Sequence, residues 1–286
     1  MESIMNEGTG DRGERDLRGR IVECCDDYLV LNKLPGESAE APEVPGGSFT
    51  GLPGLLRQEL GSGDFFPVHR LDVPVSGCVL FARNPRALAF LSECFRSPGR
   101  VEKIYWAVTE LPRASGHEPA ALPEALVLPG GFLAGGPPPE GPSPELPDGG
   151  AYTELVHWLE AGRGNRSAAF DEDGPGRKKG ILHCRVLGRG DRYLFLEIKL
   201  ITGRHHQIRA QLSHIGLPVK GDLKYGARRS ERGGGIRLHA HSLAFPGPGR
   251  EGGTVRVETL PPLIDNLWQA FLAVSPAPAP PEHAVL

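Results

Sequence analysis

Two short segments of the chain concentrate side chains that could carry out chemistry. Asp72 lies in a segment from position 69 to 77, and Arg204 and Arg209 lie in a second segment from position 202 to 209. Both segments contain glycine and lie between apolar runs, where a folded scaffold can hold charged side chains rigidly. A carboxylate in one segment and guanidinium groups in the other predict an ion pair across a cleft. Such a pair either stabilises the fold or maintains a reactive carboxylate, and charge alone favours the stabilising interpretation.

Histidines in and near these segments define a competing hypothesis. A metal-dependent hydrolase would use a set of four ligands, namely His69, Asp72, His205 and His206. His214 lies close to this set in the sequence. A zinc site at His205 and His206, next to His214, lacks a convincing third and fourth ligand set at this spacing, so the sequence predicts no metal.

The elements that must position these segments are mainly short strands, with few helices between them. Apolar runs at residues 21–23 and 28–31 indicate a hairpin, and residues 193–200 alternate in the manner of a strand. Helices are predicted at residues 52–60, after the N-cap and first-turn proline at Asn84 and Pro85, and from Ile208 to a stop at Gly216. This order favours a mixed, largely antiparallel α+β fold over a doubly wound one.

Composition divides the chain into one folded domain and several flexible segments. The folded domain is predicted to span residues 20–262, behind a disordered lead-in at residues 1–19. Residues 112–150 are rich in Pro, Gly and Ala and are interpreted as a mobile low-complexity insertion, and residues 162–180 as a flexible loop. Residues 263–286 are predicted to form a C-terminal helix followed by a proline-rich tail.

Charge is distributed unevenly along the chain. The net charge is −3, yet between Arg177 and Arg250 there are 16 Lys and Arg residues against 4 acids. Such a basic segment is either a solvated surface or a footprint for nucleic acid, and charge by itself favours neither interpretation.

Cysteine usage and hydropathy restrict where the protein can work. The five cysteines are odd in number and include no Cys-x-x-Cys pair, which favours a reducing compartment over a disulfide framework or a zinc ribbon. No apolar run approaches the roughly 18 residues that span a bilayer. Acidic residues near the N-terminus match neither a secretory signal nor a transit peptide. A cytoplasmic protein is therefore expected, with an organellar location as the alternative.

The two polar segments also carry ordered motifs. These are His69-Arg70-Leu71-Asp72 followed by Ser76-Gly77, and Thr202-Gly203-Arg204-x-His206-Gln207-Ile208-Arg209. Supporting motifs are Asn32-Lys33, Glu102-Lys103-x-Tyr105-x-Ala107, Pro218-Val219-x-Gly221-Asp222 and Leu238-His239-Ala240. Over residues 21–262 this order resembles the RNA pseudouridine synthases of the RluA-like branch. The resemblance implies that family's catalytic domain, a mixed and mostly antiparallel sheet with flanking helices.

The resemblance implies an enzyme that isomerises specific uridines to pseudouridine in ribosomal or transfer RNA without a cofactor. The uracil is detached from its ribose and reattached through a ring carbon, so the nucleotide must leave the RNA stack. By this resemblance Asp72 is the catalytic carboxylate, Arg204 is the cation that keeps it charged, and Tyr105 stacks on uracil and handles the ring-carbon proton. A monomer is expected. A catalytically silent RNA-binding protein on the same scaffold is the alternative.

The same resemblance assigns further residues to the substrate. Those expected to bind it are Arg70, His206, Gln207, Arg209 and Leu238. Arg70 could instead form a fold-stabilising pair, and Leu238 could be a core leucine. A track for RNA phosphates is expected at Arg209, Lys220, Lys224, Arg228 and Arg229. No small RNA-binding domain of the kind that many relatives carry is expected before residue 21, so target selection is assigned to the catalytic domain.

Overall fold

The computed structural model describes residues 16–40, 51–61, 63–112, 151–231, 233–249 and 253–273. Eleven strands in this part of the chain form one sheet. They are β1 (Ile21–Cys24), β2 (Tyr28–Lys33), β3 (Phe66–Pro67), β4 (Ser76–Ala82), β5 (Glu102–Glu110), β6 (Thr153–Gly162), β7 (Arg166–Phe170), β8 (Lys178–Arg189), β9 (Tyr193–Leu200), β10 (Leu238–Pro246) and β11 (Thr254–Glu258). The α-helices are α1 (Leu52–Leu60), α2 (Pro85–Arg96), α3 (Gln207–His214) and α4 (Asn266–Leu272).

The sheet is almost entirely antiparallel, as the α+β prediction requires. Its main path runs in the order β1-β2-β4-β10-β5-β9-β8-β6-β7, with β11 paired to β10 and β3 paired to β4. The predicted hairpin of β1 and β2 is confirmed, and so is the strand β9. The predicted cap of α2 is confirmed as well, because the Asn84 side chain accepts a hydrogen bond from the amide of Ala87. Among the described residues, no helix is long and apolar enough to cross a membrane.

The one parallel contact among the described strands, between β4 and β10, lies at the centre of the sheet. It pairs Ser76 with His239 and Gly77 with Ala240. Gly77 has a φ of +116°, and a Cβ atom there would overlap the backbone of Ala240. Only glycine permits this approach of two backbones. The contact fixes where β4 begins and therefore where the preceding segment with Asp72 lies.

The two faces of the sheet carry different cores. On one face α3 contributes Ile208 and Leu212 to a cluster that includes Tyr105 of β5. On the opposite face α4 contributes Phe271 to a cluster that includes Trp106. Neighbouring residues of a strand point to opposite faces, so β5 serves both cores. The face covered by α3 is the one that carries the polar segments.

Residues 162–180, predicted to be a flexible loop, contain the turn between β6 and β7, all of β7 and the start of β8. The turn uses Asn165 at a φ of +55°, a left-handed conformation that asparagine tolerates. The backbone amide of Ser167 in β7 donates to the hydroxyl of Tyr225 at 2.8 Å. Charged residues in this segment concealed the strand in the sequence, because its order comes from partners far along the chain.

The ends of the predicted domain differ from expectation in one place. Residues 16–19, assigned to a disordered lead-in, pack on the domain: Leu17 is buried and Arg18 forms an ion pair with Glu59 at 3.0 Å. The predictions for residues 1–15, 113–150 and 274–286 lie outside the described residues.

Candidate active site

The two polar segments meet at a cavity of about 800 Å³ on the α3 face of the sheet. Its walls come from the segment before β4, the start of β5, the turn after β9 and the first turn of α3. Asp72 is the only carboxylate among the lining residues. Five cationic residues line the cavity with it, namely Arg70, Arg96, Lys103, Arg204 and Arg209. The cavity therefore presents one anion in a cationic environment.

Asp72 forms an ion pair with Arg209. The Nη1 atom of Arg209 lies 2.9 Å from Oδ2 of Asp72, while Nε and Nη2 donate to the buried carboxylate of Asp222 at 2.7 and 2.9 Å. Burial opposes the charge on Arg209, but hydrogen bonds to Asp222 and Asp72 outweigh this effect and raise its pKa. Arg209 is therefore a permanent cation held between two carboxylates.

The prediction that Arg204 is the cation beside Asp72 is wrong. The Nε atom of Arg204 donates to the carbonyl of Lys179 at 3.1 Å, and its backbone amide donates to Oε1 of Gln207 at 2.9 Å. Arg204 lies in the turn before α3 begins, whereas Arg209 lies within the first turn of the helix and points into the cavity. Both arginines lie in the same motif, so residue type and spacing do not distinguish them.

Gln207 supports the turn before α3. Its side chain accepts hydrogen bonds from Oγ1 of Thr202 and the amide of Arg204, and it donates to the carbonyl of Ile181 at 3.1 Å. These hydrogen bonds give Gln207 a structural role in the turn. Its amide nitrogen carries a second hydrogen and Gln207 lines the cavity, so its predicted contact with the substrate stays a prediction.

Tyr105 and Leu238 both line the cavity, where the sequence placed them. Tyr105 is buried, and burial together with the negative charge of Asp72 raises the pKa of its phenol. The phenol is therefore protonated at neutral pH. Leu238 begins β10 beside β5 and is 3% exposed, so it belongs to the core and to the cavity wall at once.

Lys33 holds the segment that carries Asp72. The sequence identified Asn32-Lys33 as a supporting motif but did not assign a role to Lys33. Its ammonium donates to the carbonyls of Leu34, Val73 and Val75 at 2.8, 3.0 and 2.6 Å. Burial lowers the pKa of Lys33 to about 8. Two of the three acceptors lie within three residues of Asp72, so this buried cation sets the path of the backbone that presents the carboxylate.

Replacing Lys33 by methionine is expected to lower the free energy of unfolding by about 2–4 kcal/mol, because three carbonyls lose their shared donor. Urea unfolding followed by circular dichroism measures this change. Lys199→Met is the matched control, since the ammonium of Lys199 pairs with Glu102 while the Lys199 side chain is 37% exposed. A Lys33→Met variant as stable as this control would contradict the role of Lys33.

A family model described as RNA pseudouridylate synthase matches residues 27–214, which contain the cavity-lining segments around Asp72 and Arg209. The chain belongs to this family. A protein of Zymomonas mobilis named as an RNA pseudouridine synthase is 32% identical over 177 residues, which cover 62% of this chain and 64% of that protein. The match therefore spans less than two thirds of that relative's length.

Two further similarities cover more of the chain. The tRNA pseudouridine synthase C of Haemophilus ducreyi is 28% identical over 251 residues, covering 85% of this chain and 90% of that protein. The solved structure of human RNA pseudouridylate synthase domain containing 1 has a TM-score of 0.60 at 23% identity, covering 96% of this chain and all of that one. This structural likeness establishes the synthase fold.

Most of the predicted phosphate track of the synthase domain is engaged within the protein. Lys220 is paired with Glu231, Lys224 donates to the carbonyl of Asn165 at 2.6 Å, and Arg228 donates to the carbonyl of Leu111 at 2.7 Å. Arg229 is exposed. None of these four basic residues lines the cavity, and three of them hold the chain between β9 and β10 in place. The pairing with Glu231 removes Lys220 from the predicted track, whereas Lys224, Arg228 and Arg229 are exposed, and their contacts with RNA phosphates stay a prediction.

Lys103 is a cation of the synthase cavity that the prediction did not assign. Its ammonium forms no hydrogen bond or ion pair with any residue that the structure describes, although it lines the cavity. Burial lowers its pKa. A partly buried ammonium without a partner is available for an anion, and its place in the motif with Tyr105 was the signal present in the sequence.

Arg70 also lines the cavity and pairs with Glu40 at 3.2 Å, with both side chains more than half exposed. Exposed pairs of this kind contribute little to stability, generally below about 1 kcal/mol. The pair leaves Arg70 free to exchange Glu40 for a ligand. Both alternatives for this residue are therefore compatible with its position at the cavity rim.

The metal-dependent hydrolase is not supported. The Nε2 atom of His69 accepts a hydrogen bond from the amide of Leu80 at 3.1 Å, and burial lowers the pKa of His69 to about 3. Its lone pair is thus engaged away from Asp72. Among the described residues, one cluster has the proximity of metal ligands, namely His157, Asp171 and His214, and none of the three lines the synthase cavity.

That cluster does not present His157 as a ligand. The Nδ1 atom of His157 lies 3.0 Å from the amide nitrogen of Gln211, which also faces the carbonyl of Leu155 at 3.2 Å. The side-chain NH2 group of Gln211 can only donate, so Nδ1 of His157 accepts and Nε2 of His157 carries the ring hydrogen. A metal-bound imidazole instead donates from its second nitrogen to an acceptor.

Proposed function

We propose that the protein isomerises uridine to pseudouridine in structured RNA, either transfer or ribosomal RNA, with Asp72 as the catalytic carboxylate and without a cofactor. The observation that carries this proposal is the pairing of Asp72 with Arg209 in a cavity that no other carboxylate of the described residues lines. An ion pair of this kind keeps a half-buried carboxylate charged and therefore reactive.

The reaction breaks the bond between the ribose C1′ and the uracil N1 and forms a bond from C1′ to the ring carbon C5. The proton on C5 is lost, and N1 gains a proton, so no atom is supplied by a co-reactant. Asp72 either attacks C1′ or removes a proton from the sugar, and both routes need the same ionised oxygen. Its place beside Arg209 supports either route.

Tyr105 is suited to the second half of this reaction. The negative charge of Asp72 contributes to the raised pKa of the phenol. An ester between Asp72 and the sugar would remove that charge and lower the pKa of Tyr105, which makes the phenol a better proton donor. The phenol then gives its proton to N1 of the detached uracil, and the resulting phenolate takes up the C5 proton, so Tyr105 ends the reaction protonated again. Before the reaction begins, the ring of the protonated Tyr105 can stack on the uracil that has entered the cavity.

The target uridine is proposed to enter the cavity by base flipping. A carboxylate below the surface cannot reach C1′ of a stacked nucleotide, so the nucleotide must rotate out of the RNA. A volume of about 800 Å³ accommodates one nucleotide, and Tyr105, Leu238 and Ile208 supply apolar wall area for the ring. Arg70 at the rim is placed to occupy the gap that the flipped base leaves.

Lys103 is proposed to contact a phosphate beside the target nucleotide, in addition to the predicted track. Lys103→Gln is expected to raise KM for RNA about tenfold and to reduce the slope of log affinity against log salt by about 1. Filter binding across a salt series measures this slope. Lys199→Gln is the matched control, because Lys199 lies outside the cavity and its ammonium pairs with Glu102. A slope for Lys103→Gln equal to the wild-type slope would exclude a phosphate contact at Lys103.

Release of tritium from RNA labelled at uracil C5 tests the proposed function. The protein is expected to release tritium from total transfer RNA or ribosomal RNA, and chelator should not reduce the rate. RNA binding without tritium release would identify a catalytically silent RNA-binding protein, and no release from either RNA would refute the synthase proposal. We further propose that the protein is a monomer and that it works in the cytoplasm. The five free cysteines support the second proposal, because free thiols persist in a reducing compartment.

A further inference from the structure

The imidazole of His206 lies between the candidate catalytic carboxylate and a buried tyrosine. Its Nε2 atom is 3.5 Å from Oδ2 of Asp72, and its Nδ1 atom is 2.9 Å from the hydroxyl of Tyr225. The same hydroxyl accepts a hydrogen bond from the backbone amide of Ser167 at 2.8 Å. A continuous path therefore leads from the backbone of β7 through two side chains to Asp72.

The direction of each hydrogen bond in this path follows from what the groups can donate. The amide of Ser167 can only donate, so the Tyr225 oxygen accepts there. No other hydrogen-bond partner of the Tyr225 hydroxyl is found in the described part of the chain, so its proton points to Nδ1 of His206. Nδ1 then accepts, and the imidazole hydrogen must reside on Nε2, which faces Asp72.

The charge state of His206 agrees with this tautomer. Burial lowers the pKa of His206 to about 4, against the opposing effect of Asp72, so the ring is neutral at neutral pH. The cations that face it, Arg209 and Lys224, and the adjacent His205 lower its pKa further. A neutral imidazole in this environment offers Asp72 one hydrogen and no charge.

Both groups that approach Asp72 reach the same oxygen. Arg209 contacts Oδ2 at 2.9 Å and His206 faces Oδ2 at 3.5 Å, whereas Oδ1 has no hydrogen bond to any described residue. The distance from His206 exceeds that of a hydrogen bond by about 0.5 Å, and such contacts in active sites tighten when substrate binds.

We propose that His206 is a positioning residue whose tautomer is set by Tyr225 and Ser167, so that Oδ2 of Asp72 is held from two sides and Oδ1 is the oxygen that reacts. This inference rests on the proposed function. It also explains why the hairpin of β6 and β7 is ordered against α3: Ser167 donates a second hydrogen bond, from Oγ to the carbonyl of His205 at 2.8 Å. The hairpin thereby fixes the backbone on which His206 adopts a φ of +52°.

Tyr225→Phe tests the path by removing one oxygen atom. The ring keeps its contacts with Arg209 and Arg166, but Nδ1 of His206 loses its donor. We expect kcat for RNA isomerisation to fall about tenfold, with KM changed less than about twofold. Tyr152→Phe is the matched control, because Tyr152 donates to Glu197 and does not line the cavity; its kcat should match wild type. An unchanged kcat in Tyr225→Phe would overturn the proposal.

The tautomer is measured directly by long-range ¹⁵N–¹H NMR of protein with labelled histidine. His206→Asn identifies the His206 signals by their loss, and asparagine tolerates the left-handed backbone at this position. Wild type should show hydrogen on Nε2 of His206, and Tyr225→Phe should show a shift toward the Nδ1 form. Hydrogen on Nδ1 in wild type would refute the path. This measurement requires no activity, so failure of the synthase proposal and failure of the path are separable.

An RNA complex tests the assignment of the reacting oxygen. In a crystal structure with RNA in the cavity, C1′ of the flipped nucleotide should lie nearer to Oδ1 than to Oδ2, with Arg209 and His206 still on Oδ2. C1′ nearer to Oδ2 than to Oδ1, or an Arg209 that leaves Oδ2 in the complex, would contradict the proposal.

Discussion

Asp72→Asn is expected to lower kcat for tritium release at least about 10⁴-fold, because the amide can neither attack C1′ nor accept a proton from the sugar. The side chain keeps its size, and Arg209 keeps Asp222 as its buried partner. Stability should therefore change by no more than about 2 kcal/mol. Single-turnover assays with labelled RNA, alongside urea unfolding, separate the two quantities.

The control for Asp72 is a carboxylate that also pairs with a cavity-lining arginine. Glu40 meets this requirement, since it pairs with Arg70 and its side chain is 58% exposed. Glu40→Gln should keep kcat within about twofold of wild type, as expected for an exposed ion pair. If Asp72→Asn retained more than about one tenth of the wild-type rate, Asp72 could not be the catalytic carboxylate.

Arg209→Gln is expected to have the second largest effect, on catalysis and on stability together. Its loss leaves Asp222 buried without a cation, which costs about 3–5 kcal/mol of unfolding free energy. It also removes the charged hydrogen bond on Asp72, so kcat should fall about 100-fold in the protein that remains folded. Urea unfolding and active-site-normalised tritium release measure the two losses.

A double variant separates these two roles of Arg209. Arg209→Gln with Asp222→Asn removes the unpaired buried charge and should recover part of the lost stability, while the low kcat persists because Asp72 still lacks its cation.

Arg204→Gln is the comparison within the motif. This variant should raise KM for RNA and leave kcat within about threefold, since Arg204 does not contact Asp72. A larger fall in kcat for Arg204→Gln than for Arg209→Gln would restore Arg204 as the partner.

Local patterns that involve only neighbouring residues were predictable. The helix at Leu52–Leu60 and the cap of α2 at Asn84 follow from interactions within a few positions of the chain. The alternation in β9 is likewise local, since side-chain direction in a strand reverses at every residue. These elements agree between sequence and structure because their main determinants lie within the segment itself.

The partner of Asp72 was not predictable from the motif. Arg204 and Arg209 are five positions apart, and both are long enough to reach a carboxylate in the neighbouring segment. The choice depends on where α3 begins and on Asp222, which holds Arg209 from the other side. Residue spacing does not specify the first residue of a helix to within one position. It also does not specify that one arginine will contact two carboxylates from other segments of the chain.

Lys220 shows the same limit for charge. A basic residue in a positive segment suggests a phosphate contact, yet the ammonium of Lys220 is paired with Glu231 and its side chain is only 18% exposed. The order of β7 was hidden for a related reason, because the backbone of Ser167 is satisfied by Tyr225, 58 positions away. Net charge and composition contain no information on which cations are neutralised in the fold.

Ordered motifs and local periodicity are enough to indicate the family, the mixed antiparallel fold and Asp72 as the candidate catalytic residue. The folded structure is needed to show which cation meets Asp72, which lysine is left free in the cavity and which oxygen of the carboxylate stays open. Those three outcomes depend on distances of a few ångströms between segments far apart in the chain. The energies of hydrogen bonds and ion pairs depend strongly on such distances, whereas the order of residues in the sequence does not give them.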